Sequence, residues 1–220
     1  LVGQSQAQDN IRTLDKKFRK VAKLSIPKTV LIKSYVGAGN NRAGYGTGAI
    51  ISKDGYILTC SHVIDIASRV EVVLSDKTVL KAKVLGKNKS QDYALLKVEP
   101  KRALPVFEIG SSAKVTLGQW VVALGHPGGP YADKQPAFAA GRVTRLHCKL
   151  PVQFMQRYYN DAIQTDCPIY AGNSGGPLVD LDGRLLGLNG AILQINDNAY
   201  AVPIDQIIAK LKVLKSGKDV

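Results

Sequence analysis

The stretch AGNSGGPLVD, residues 171–180, sets Ser174 among Gly172, Gly175 and Gly176 directly ahead of an apolar run. A flexible linker can have that composition, but linkers are seldom followed at once by Pro-Leu-Val. A serine hydroxyl becomes a nucleophile when a base sits beside it. Acyl transfer also needs backbone N–H groups converging on the oxygen that turns negative. Gly172 permits torsions that turn its amide toward such an oxyanion, and Gly175 and Gly176 let neighbouring chain approach without a Cβ in the way. The glycines then read as the geometry of an anion pocket.

A base is available. The chain holds three histidines, and His62, in YILTCSHVIDIA, closes a strand-like run and opens a turn or short helical segment. A neutral imidazole accepts a hydroxyl proton near neutral pH because its unperturbed pKa is about 6.5, provided that a partner holds its tautomer. Taken alone, His62 reads equally well as a satisfied structural group. Asp92, in SQDYALLKVE, stands thirty residues later at the mouth of an apolar run. A buried carboxylate is costly unless a donor meets it. Either His62 is that donor or Asp92 caps the turn after Ser90, the commonest role for Asp in such a place.

The elements that must position these groups are short strands. The 220 residues include 21 glycines and 10 prolines spread between brief apolar runs, as tight turns between strands require. Strands are predicted at 29–36, 46–52, 56–60, 69–74, 79–85 and 93–98. After a turn-rich stretch, 100–114, six more follow at 119–124, 137–144, 161–165, 177–180, 184–189 and 199–202. Six runs on each side predict an all-β protein of two six-stranded antiparallel barrels, since closure removes exposed edges. The barrels occupy about 28–105 and 106–203. Ahead of them, residues 1–27 form a helical segment in which Ile11, Leu14, Phe18, Val21 and Leu24 share one side. Arg12, Lys16, Lys17, Arg19, Lys20 and Lys23 take the other. A closing helix at 204–214 carries Ile207, Ile208, Leu211 and Leu214. GYGTG, 44–48, lacks the Gly-Lys-Ser/Thr of a phosphate loop and reads as a turn before a strand.

Cys60, Cys148 and Cys167 lie far apart without a C-x-x-C spacing, so no metal or cofactor is expected. They read as buried thiols, with a Cys60–Cys167 bridge as the alternative. No run reaches the ~20 apolar residues of a membrane span. Lys and Arg number 30 against 17 Asp and Glu, a formal net charge of +13, yet the cations are scattered and no RNP, zinc-finger or basic-zipper pattern accompanies them. Specific nucleic-acid binding is therefore not expected. The basic side of the first helix could lie on an anionic membrane surface or beside an oligomer contact.

Together, GTGAIISKDGYILTCSHVID, QDYALLKV, LGQWVVALGHPGG, IQTDCPIYAGNSGGPLVDLDGRLLGLNGAI and AVPID resemble the protease domain of the HtrA/Deg family of chymotrypsin-like serine peptidases. The similarity spans about residues 28–210, and the order His, Asp, Ser is the chymotrypsin order. It implies Ser174 as nucleophile, His62 as general base and then acid, and Asp92 as the group that orients it. The amides of Gly172 and Ser174 would form the oxyanion hole, with Asn173 shaping its loop. A neutral Asn173 in place of the aspartate of digestive relatives implies no trypsin-type zymogen switch. Pro168 falls at the pocket floor, and Asp166 belongs to a structural site. Ile169 and Leu188 would line an apolar pocket with Gly190 and Ala191 on its rim, selecting aliphatic P1 residues. The main chain of Leu188, Asn189 and Gly190 would offer an edge to an extended substrate.

What the resemblance implies overall is a serine endopeptidase acting on unfolded or damaged polypeptides. A catalytically silent chaperone or peptide-binding scaffold is the alternative. The family also implies a homotrimer held by N-terminal segments. The chain starts without Met, and Leu1-Val2-Gly3-Gln4 is no signal peptide; an exported protein of the bacterial periplasm or cell envelope is expected, its leader removed. The chain ends soon after the closing helix, so no PDZ domain is expected within these 220 residues, whether the natural protein is a single domain or a longer chain. It departs from the family pattern at Cys60-Ser61, at HPGGPY around His126, and in HCKLPVQFMQRYYND, 147–161, read as an inserted gating or sensor loop.

Overall fold

Strands form wherever the apolar pattern marks them. The computed structural model describes residues 2–37, 42–129, 135–152, 157–193 and 198–220. In chain order the first barrel takes β1 (Thr29–Tyr35), β2 (Arg42–Ile50), β3 (Tyr56–Thr59), β4 (Arg69–Val73), β5 (Val79–Asn88) and β6 (Tyr93–Val98). The second takes β7 (Trp120–Gly125), β8 (Ala137–Val152), β9 (Arg157–Thr165), β10 (Pro177–Val179), β11 (Leu185–Leu193) and β12 (Asn198–Pro203). Each set closes on itself, in the orders β1-β2-β3-β6-β5-β4 and β10-β11-β12-β9-β8-β7. This is the chymotrypsin-like pair of barrels expected from the sequence.

The pleat explains why YILT and YALLKV are apolar throughout instead of alternating. Ile57 pairs with Leu96 and Leu58 with Leu95 on β3 and β6. Successive side chains point to opposite faces. Ile57 and Leu96 therefore fill the first barrel with Val30, Ile32 and Val72, whereas Leu58 and Leu95 face the seam, where Leu124, Val122, Tyr159 and Leu188 meet them from the second barrel. All four leucine and isoleucine side chains are fully buried, each worth about 1.5–3 kcal/mol of transfer free energy. A strand buried on both sides has no polar face to show.

Among the described residues two α-helices lie outside the barrels, α1 (Val2–Ser25) and α2 (Ile204–Lys215). Ile204, Ile207 and Leu214 of α2 are buried in the seam cluster. In α1 the last turns pack: Val21 is buried, and Phe18 meets Trp120 and Phe138 edge-on at 5.4 and 6.2 Å between ring centroids, the arrangement that aromatic quadrupoles prefer. The expected apolar side of this helix does not pack along its whole length, because Ile11 is 69% exposed and Leu24 is 37% exposed. None of the helices among the described residues is long and apolar enough to cross a membrane.

Two further expectations change. GYGTG lies inside β2, where Tyr45 pairs with Lys33 and Thr47 with Leu31, so the tight turn read there is absent. Residues 147–161 are not mainly a loop: β8 and β9 continue past the barrel as a paired hairpin, with Leu150 opposite Tyr159 and Cys148 opposite Ala162. Its central residues 153–156 lie outside the described residues.

Candidate active site

His62 sits in a 3-10 turn, Ser61–Val63, just beyond β3, which leaves its imidazole partly open while its neighbours are buried. Its Nδ1 is 2.8 Å from Asp92 Oδ2 and 3.0 Å from Oδ1, and its backbone N–H donates to Oδ1 at 3.0 Å. A carboxylate only accepts, so Nδ1 carries the proton and Nε2 keeps its lone pair. That is the tautomer a general base needs.

Asp92 is fully buried at the head of β6 and has a left-handed backbone, φ 61°, uncommon outside glycine. Besides His62 it accepts the Tyr159 hydroxyl at 2.6 Å, and Arg157 Nε lies 3.6 Å from Oδ1. Burial alone would raise its pKa. The hydrogen bond and charge of His62, the Arg157 cation and the Tyr159 hydroxyl outweigh burial and hold the carboxyl below its ordinary range. Asp92 thus does more than cap a turn.

Ser174 is half-buried in the turn between β9 and β10. The loop is pinned from several sides. Asn173 N–H donates to Tyr170 O at 3.0 Å, Gly176 N–H to Asn173 O at 2.9 Å and Gly175 N–H to Asn189 O at 2.7 Å. From the first barrel, Thr47 N–H donates to Ser174 O at 2.8 Å and Thr47 Oγ1 donates to Gly172 O at 2.7 Å. Gly172 has φ +104°, and a Cβ there would run into the main-chain oxygen of His126. Among the described residues the amides of Gly172 and Ser174 have no protein acceptor, so the fold uses up neither of them. Asn173 is buried with its Oδ1 unpartnered, wedged against Gly125.

Sequence reasoning missed the support behind this loop. The Thr47 hydroxyl gives its single proton to Gly172 O, so its lone pairs accept from His126, whose backbone N lies at 2.9 Å and Nδ1 at 3.2 Å. His126 is buried and neutral: burial lowers its pKa from 6.5 to about 4. The unfolded chain therefore binds the proton first on acidification. Stability from this group is complete above pH 6.5, falls as pH drops toward 4, and changes no further below. The loss expected from the shift between 6.5 and about 4 is about 3 kcal/mol. Urea midpoints measured across that window should fall more steeply for the wild type than for His126→Gln.

The other expected residues are placed as follows. Ile169 is buried with Cys167 and Ile163 inside the second barrel, and the half-buried Ile192 packs against them. Leu188 is fully buried in the seam, so its side chain serves packing and not an open pocket. Asn189 cannot offer its main chain to a substrate, because its oxygen accepts from Gly175 and its N–H donates to Gly176 O at 2.8 Å. Its carboxamide reaches the oxygens of Leu124 and Pro177. Asn189 is a brace for the serine loop. Beyond it β11 bulges between Asn189 and Ala191, leaving Gly190 buried and Ala191 half-buried. Asp166 accepts the backbone N–H of Arg142, a structural role. Cys60, Cys148 and Cys167 are all free buried thiols, so no Cys60–Cys167 bridge forms. Burial pushes Cys167 up to about 11, and burial together with the Asp92 charge raises Cys60.

The family model of the trypsin-like peptidase domain matches residues 46–188. A probable periplasmic DegP-like serine endoprotease of Pseudomonas fluorescens is 42% identical over 176 residues, which cover 78% of this chain and 35% of that protein. Its counterpart in Pseudomonas fulva is 38% identical over 206 residues, 91% of this chain and 41% of that protein. Among solved structures, the HtrA-type protease AlgW with a tripeptide superposes with a TM-score of 0.79 at 26% identity, covering 90% of this chain and 63% of the other. The chain spans less than half the length of these two curated relatives.

Proposed function

Because the chain belongs to the trypsin-like peptidase domain family, we propose that it is a serine endopeptidase that cleaves polypeptides through an acyl-enzyme. Ser174 Oγ attacks the scissile carbonyl while His62 Nε2 takes its proton, and Asp92 stays ionised, holding the imidazole and offsetting its positive charge. The oxyanion accepts from the amides of Gly172 and Ser174. His62 then protonates the leaving amine, and water repeats the sequence to free the acid. The observation that carries this reading is the His62 imidazole held through Nδ1 by a buried Asp92. The serine loop adds support, since the amides of Gly172 and Ser174 have no protein acceptor among the described residues.

The experiment is covalent labelling. A fluorophosphonate should modify Ser174, read by intact mass and peptide mapping, and labelling should disappear in His62→Ala. Casein binding without labelling or cleavage, at several pH values and with peptide activators present, would support a silent chaperone or scaffold instead.

Finer readings belong to the same proposal. Pro168 and Ile169 near the serine carry no charge for a basic P1 side chain, which favours aliphatic P1 residues. The main-chain edge open to an extended substrate starts at Gly190, since Asn189 is engaged. Relatives named as periplasmic endoproteases support an exported location. The exposed residues of α1, Ile11 with Arg12, Lys16, Lys17 and Lys20, are where a homotrimer contact or an anionic membrane surface would engage. Light scattering and vesicle sedimentation separate those two.

A further inference from the structure

Resting on that reading, we infer that the β8–β9 hairpin is a clamp on Asp92, and that Tyr159 and Arg157 are positioning residues for the acid–base pair. The hairpin grows from the second barrel yet is stitched to the first beside the carboxylate. Tyr158 N–H donates to Ser90 O at 2.9 Å, and Gln91 Nε2 donates to Tyr158 O at 2.8 Å. Gln91 Oε1 faces Asn160 N–H at 3.4 Å. These bonds grip the two residues before Asp92, whose left-handed backbone (φ 61°) persists only where its surroundings hold it.

Side chains complete the grip. The Tyr159 ring is buried in the seam, and its hydroxyl, which has one proton to give, gives it to Asp92 Oδ2 at 2.6 Å. A Cβ at residue 190 would lie 3.0 Å from that phenol oxygen, so the glycine there keeps the phenol's place clear. Burial, followed by the Asp92 charge, pushes the phenol far above its ordinary pKa, so it remains a donor at every working pH. The groups facing Asp92 are then His62 on one side, Tyr159 and Arg157 from the hairpin on the other, and the neutral Cys60 thiol nearby. One donor and one cation from the hairpin leave the carboxylate one orientation in which to receive Nδ1–H.

The test is Tyr159→Phe, which keeps the ring in the core and deletes the donor. With its charge less dispersed, Asp92 would attract the imidazolium more strongly, so the acid limb of kcat/KM should move up by about half a pH unit. With the phenol donor gone the carboxylate can turn away from Nδ1, and that misplacement should lower kcat about tenfold with KM unchanged. The downfield proton resonance of His62 Nδ1 should move as well. Fluorotyrosine at 159, a stronger donor of nearly the same shape, should shift the limb the opposite way, and it carries the test if Tyr159→Phe does not fold. Gln91→Ala, which loosens the hairpin without touching the carboxylate, should lower kcat in the same direction. An unchanged pH profile, kcat and Nδ1 resonance in the folded Tyr159 variants would overturn the clamp while leaving the triad intact. Failure of the triad itself would appear earlier, as a wild type whose Ser174 labelling does not depend on His62.

Discussion

Ser174→Ala and His62→Ala should each lower kcat by about 10⁶-fold, and the double variant should lose no more than either single one. In the proposed mechanism the nucleophile and its base act as one unit: without the imidazole the hydroxyl has no acceptor for its proton, and without the hydroxyl the imidazole has nothing to activate. The amides of Gly172 and Ser174 survive both changes, so a residual acceleration of about 10³–10⁴ over water should persist. Single-turnover rates on a peptide with an aliphatic P1 residue measure all three variants. Losses that multiply in the double variant would mean that the two side chains work independently, which an acyl-transfer dyad does not allow.

Asp92→Asn should lower kcat by about 10⁴-fold with KM nearly unchanged. The carboxylate accepts at both oxygens, from His62 Nδ1, the His62 backbone and Tyr159. A carboxamide has one oxygen and an NH₂ that cannot accept. His62 would then keep its proton on Nε2, the atom that in the proposed mechanism must offer a lone pair to Ser174. Arg157, 3.6 Å from the carboxylate, would lose this negative neighbour, so the melting temperature should fall too. Steady-state rates for the Asp92→Asn variant within tenfold of wild type would show that the carboxylate is only a turn-cap.

Much of this architecture was legible along the chain. Each of the twelve strands follows a short apolar run bounded by glycine, proline or polar turn residues, and local pattern is sufficient for that. Where runs ended was less legible. β8 and β9 extend well beyond 144 and back to 157 because they pair with each other, and the pairing energy of a hairpin is not written in either strand alone. Ser174 stands out in its glycine-rich turn, and the His62–Asp92 pair could be read because its members sit in strong local contexts, a strand end and a strand mouth. Tyr159, Arg157, Thr47 and His126 could not, since each acts across the seam on a residue scores of positions away. Leu188 and Asn189 were misjudged for a related reason: period-2 alternation says that neighbours face opposite ways but not which side is taken by the serine loop.

The Thr47 bonds to Gly172 and Ser174, and the hairpin's grip on Ser90 and Gln91, tie together halves that carry different parts of the chemistry. His62 and Asp92 ride on one barrel, Ser174 and its amides on the other. Turnover therefore works as a vernier for the relative alignment of two rigid bodies. A slip of about 1 Å between them, invisible to circular dichroism because every strand remains paired, would cost about a hundredfold in rate.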